Sequence, residues 1–154
     1  MELLVARLRI HAIAIALAIA TSAPALADDI AACDLLKLAD VKSVMGSEWK
    51  RNETFSAGET CAYQGAPTAV VTIILTSDSS GAAAILAGRQ KLIGDKAKPA
   101  TGPGTGAYQV TTPRTIALAF GKGNFVAQVE ATPDATADFA VLNRLAALAY
   151  RRLP

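Results

Sequence analysis

Only one histidine occurs in the chain, His11, and it lies within an apolar run near the start. A chain processed beyond it has none. That excludes Ser-His-Asp and Cys-His catalysis, histidine-ligated zinc and a histidine pH switch. Charge of one sign is also missing. After position 27 there are 13 basic and 12 acidic residues, so no strong field recruits nucleic acid or an anionic membrane. Aromatics are scarce, at 5% with a single tryptophan. There are two cysteines and no C-x-x-C, the spacing that redox and metal pairs usually use. No uninterrupted apolar run reaches the roughly 20 residues that a membrane span needs.

What is present begins with an export signal. Arg7 and Arg9 precede an apolar stretch from Ile10 to Ala20, broken only by His11. Thr21, Ser22 and Pro24 end the stretch, and Ala25-x-Ala27 places small residues at a cleavage site. This pattern predicts a signal peptide over 1–27, cut between Ala27 and Asp28. A second instruction overlaps it. Ile30-Ala31-Ala32-Cys33 resembles a lipobox, which would make Cys33 a lipid-bearing terminus. Asp28 and Asp29 stand between the apolar stretch and Cys33, and charged groups at membrane depth are costly. A lipid anchor on Cys33 is therefore not expected. The mature chain, 28–154, is one domain with no membrane span. An even pair of cysteines in an exported chain reads as a disulfide, Cys33 to Cys61, with a redox or metal pair as the alternatives. Closing a loop of about 29 residues contributes roughly 3.5 kcal/mol on the chain-entropy model.

The periodicity gives the elements. Leu38, Val41 and Met45 mark a helix from Cys33 to Met45, with a possible break near Lys37 and a stop at Gly46. Glu48–Phe55 alternates as an edge strand, with Trp49 toward the core. Residues 61–64 form a short strand ended by Gly65 and Pro67, and 69–76 an interior strand, apolar on both faces. "SDSSG" offers caps for a helix over 82–93 that Gly94 closes. Residues 95–106 read as a long Gly/Pro loop and 107–111 as a strand. Residues 115–120 and 125–131 form a hairpin around "GKGN". Thr132-Pro133-Asp134 starts the last helix, whose stripe is Val141, Leu142, Leu145, Leu148 and Ala149. The fold class is α+β: an antiparallel sheet of about five to six strands, two to three helices packed on one face, and one disulfide.

Candidate chemistry is thin. Ser47 and Lys50 match S-x-x-K, with 77–79 near S-D-N. That dyad needs both side chains on one helical turn, whereas Gly46 and the alternation after it predict extended chain. The glycines of 102–106 lie in no strand-to-helix phosphate loop and precede no Gly-Lys-Ser/Thr. Asp134 and Asp138 share a helix face but in a first turn serve the dipole. Glu53 and Glu59 read as solvated, and Lys91, Lys96 and Lys98 form too small a basic cluster for nucleic acid. No catalytic residue, metal site or cofactor is assigned.

"CDLLKLADVKSVMG" followed by "CAYQG" and "GTGAY" resembles a family of small bacterial envelope domains of unknown function, many of them lipoproteins. Cys33, Leu35, Leu36, Val41, Gly46, Cys61 and Tyr63 fit its pattern, while Lys37 stands where a hydroxyl residue is usual. The resemblance implies a disulfide-stapled α+β fold and carries no catalytic residue. The expected function is a soluble periplasmic or secreted binding or accessory module, not an enzyme, with an unknown protein or small-molecule ligand. A small hydrolase using carboxylates or a Ser-Lys pair, and a structural envelope component, are the alternatives.

Overall fold

The computed structural model describes residues 30–154; the signal peptide expected over 1–27 and its expected Ala27/Asp28 cleavage point lie outside them. Two short helices open the domain, α1 (Ala32–Leu35) and α2 (Leu38–Met45). The break near Lys37 is real, and its carbonyls are satisfied from afar. Arg152 Nη1 donates to the Leu35 carbonyl at 2.8 Å, and the Tyr63 hydroxyl donates to that of Leu36. Orphan carbonyls at a helix end need such partners. Asp40 accepts from the Lys37 N–H at the start of α2 and holds Arg152 in a two-bond ion pair at 2.6 and 3.1 Å.

Strands β1 (Lys50–Arg51), β2 (Thr60–Ala66) and β3 (Ala69–Ser77) form an antiparallel meander. Helix α3 (Ala82–Ile93) carries the chain to the far edge, where β4 (Lys98–Pro99), β5 (Tyr108–Thr111), β6 (Ile116–Lys122) and β7 (Phe125–Ala131) return inward. β7 pairs with β3 from Val71↔Ala131 to Ser77↔Phe125 and closes one seven-stranded antiparallel sheet, ordered β1-β2-β3-β7-β6-β5-β4. Helix α4 (Phe139–Tyr150) ends the domain. Both sheet edges are strands of two residues bearing Lys-Arg or Lys-Pro, devices that blunt pairing with other chains.

The helices lie on both faces of the sheet, not on one. Alternation along β6 and β7 sends Leu118, Phe120, Ala127 and Val129 into a core with α1, α2 and α4. Ala119 and Val126 point the other way, against Ala82 and Leu86 of α3. Gly121 permits that second contact, since a Cβ there would lie 2.5 Å from the Ala82 Cβ. The β6 sequence is apolar on both faces for this reason, as doubly covered strands are, whereas β7 carries Gln128 and Glu130 on the face it shares with Val126. The disulfide joins Cys33 of α1 to Cys61 of β2, with Cα atoms 5.0 Å apart.

Other expectations are also corrected. The sheet has seven strands because 95–106, read as a loop, contains β4. The segment 48–55 is strand only at β1. Asn52 then accepts from the Thr54 N–H and folds Glu53–Phe55 into one 3-10 turn. Gly65 does not end β2 but sits in a register irregularity between Gln64 and Ala66. Asp78 accepts from the Ser80 N–H and leaves α3 capped by Gly81 without a side-chain bond. Pro133–Ala135 is a single 3-10 turn, and α4 begins only after Asp138, whose carboxylate accepts from the Val141 N–H. The hairpin turn shortens to Gly123-Asn124, because Lys122 already pairs with Phe125.

Candidate functional site

The irregularity in β2 builds a concavity at the sheet edge. Trp49 precedes β1 and is 4% exposed. Its ring lies against Gly65, where a Cβ would meet Trp49 Cε2 at 2.7 Å. The bare glycine backbone and the bulge leave an open cleft of about 850 Å³ above the sheet edge, walled by Lys50, Asn52, Thr54 and Gln64. A smaller hollow of about 190 Å³ continues past Ala66 to Asp134 and Thr136, and Glu48 borders both. Thr136 has φ 52°, the one left-handed non-glycine among the described residues. Strain of this kind collects at functional sites and switch regions.

A relay of hydrogen bonds fixes the cleft floor. The Thr54 N–H donates to Asn52 Oδ1 at 3.2 Å. Asn52 Nδ2 donates to Gln64 Oε1 at 3.2 Å, and Gln64 Nε2 to the Pro67 carbonyl at 2.9 Å. Each amide thereby has its oxygen and nitrogen assigned by partners and keeps a second N–H free to donate. Arg51 and Glu53 pair at 3.1 Å on the rim with both side chains well exposed, an interaction worth little to stability. The charges around the cleft balance, Lys50 and Arg51 against Glu48 and Glu53. The arrangement can offer oriented amide donors and charged groups of both signs to a ligand.

The residues singled out in the sequence are dispersed. Ser47 lies in the turn before β1 and Lys50 in β1, with no hydrogen bond between them among the described residues. Asp134 borders the small hollow while Asp138 caps α4, so the two do not act as a pair. Glu53 stands at the cleft, and Glu59 is exposed outside it. Gly104 packs on the backbone of Gly121 and the ring of Tyr150, which makes 102–106 a fitted connector. Ser77, Asp78 and Asn124 line a separate hollow of about 340 Å³, where hydrogen bonds from Ser80 hold the Asp78 carboxyl below its ordinary pKa. Asn52, Gln64 and Gly65 were missed. Their only sequence signal is a pair of amides in strand-like segments and a glycine before Ala-Pro.

Two groups near the disulfide titrate abnormally. Burial pushes the Tyr63 hydroxyl up to about 12, opposed by the charge of Arg51. Burial also raises Asp40, but the Arg152 guanidinium and the Lys37 N–H outweigh it and hold that carboxyl below the usual range. Both belong to the clasp between α1–α2 and the rest of the domain, not to the cleft. Among the described residues no group of three potential ligands is placed to hold a metal, and no helix is long and apolar enough to cross a membrane. No protein family, curated protein or solved structure was found to match the chain.

Proposed function

We propose that the protein is an exported binding or accessory module of the bacterial envelope, periplasmic or secreted and unanchored, with the cleft beside β1 and β2 as its ligand surface. The observation that carries this reading is the cleft, about 850 Å³ in volume with a hydrogen-bonded amide floor. Groups oriented before a ligand arrives cost less to order on binding. The disulfide supports export, since the cytosol keeps such pairs reduced. It also supports the unanchored form, because the sulfur that a lipid would occupy is the one bonded to Cys61.

A photo-crosslinking residue tests the reading in the producing cell. Placed at Thr54, in the cleft, it should give a discrete adduct with an envelope component. Placed at the exposed Ala84 of α3, it should give none. Ser47→Ala should leave the Thr54 adduct unchanged. Adducts from Ala84 alone would move the ligand surface off the cleft, and adducts from both positions would favour a structural envelope component.

A further inference from the structure

We infer that the cleft takes a neutral, polyhydroxylated ligand, a segment of glycan chain; this rests on the reading of the cleft as the ligand surface. Three observations point the same way. First, Asn52 and Gln64 come from adjoining strand ends and are locked to each other at 3.2 Å. Each amide is oriented by its partners and keeps one N–H for a ligand among the residues that line the cleft. Neighbouring hydroxyls of a pyranose match such a pair, since each accepts one hydrogen bond and can donate another. Second, the lining charges cancel, Lys50 and Arg51 against Glu48 and Glu53, which suits a ligand without net charge.

Third, an exposed aromatic residue is next in sequence to one that lines the cleft. Phe55 follows the cleft-lining Thr54 and is 67% exposed, one of two large hydrophobics left in solvent among the described residues. A ring left in solvent can stack on the C–H face of a sugar and add an apolar platform to directed polar contacts. The obvious alternative, an extended peptide, ordinarily binds by adding a strand to an open edge. Here that edge is two residues long and runs at once into the 3-10 turn Glu53–Phe55, so it offers almost no ladder to extend.

The test uses the folded domain with its disulfide intact, labelled with ¹⁵N and titrated separately with chitotetraose, maltotetraose and a hexapeptide of mixed charge. At least one oligosaccharide should move the amide signals of residues 52–55 and 64–66. Phe55→Ala and Gln64→Ala should each weaken that binding roughly three- to tenfold. Phe55→Ala should keep the wild-type circular dichroism, because the ring is in solvent. If the hexapeptide moves these signals and neither oligosaccharide does, the glycan inference fails while the cleft remains the ligand surface. If an oligosaccharide binds but its shifts map elsewhere, or both variants bind it unchanged, the cleft reading fails as well. If no probe moves any signal, the glycan inference is overturned.

Discussion

Tyr63 shows how one side chain can hold a fold together. It is 1% exposed, and its hydroxyl reaches the Leu36 carbonyl at the break between α1 and α2. Tyr63→Phe removes the donor and leaves a buried carbonyl without a partner, which should cost roughly 1–3 kcal/mol in chemical denaturation. The same group sets an alkaline limit. Its folded pKa of about 12 exceeds the ordinary 10.0, so the folded state favours the protonated phenol. Its stabilisation is complete below pH 10 and is lost as pH rises from 10 to about 12. Tyr63→Phe should flatten that part of the pH profile. An unchanged alkaline profile in the variant would show that another group sets the limit; Tyr108, whose hydroxyl burial also raises, is the first to examine.

At the scale of elements, the staple and the clasp act on the same pair of short helices. α1 has four residues, too few to be stable alone, and is held by Cys33–Cys61 and by the bonds to Leu35 and Leu36. Replacing both cysteines with serine should lower stability by roughly 2–5 kcal/mol while leaving the circular dichroism of the sheet unchanged. A loss of sheet signal at neutral pH would mean that the staple is needed for the fold itself. Elements with a strong period were legible in the sequence: β3, the β6–β7 hairpin and α4; the bounds of α3 were legible from its flanking glycines, but Leu92, in period with Ala82, Ile85, Leu86 and Ile93, is 89% exposed. Of the edge strands, β1 was legible only within the longer segment 48–55, and β4 not at all, because two residues carry no period and β4 contains Pro99. The placement of α3 depended on reading both faces of β6, where Ala119 and Gly121 look like gaps until Ala82 and Leu86 fill them. The cleft was least legible of all. It arises from a bulge at Gly65 and two amides brought together across strands, and no local pattern encodes that meeting.

For the whole molecule, one sulfur atom decides how the domain is used. Cys33 can carry a lipid and anchor the chain, or bond to Cys61 and staple α1 to the sheet, but not both. In the proposed function, the stapled, unanchored form is the one that presents the cleft. Intact-mass measurement of the protein purified from its producing cell, before and after reduction, tests this most directly. The account predicts a chain that begins at Asp28, carries no adduct and gains two hydrogens on reduction. A chain that begins at Cys33 with a diacylglyceryl group on its sulfur, leaving Cys61 a free thiol, would contradict it.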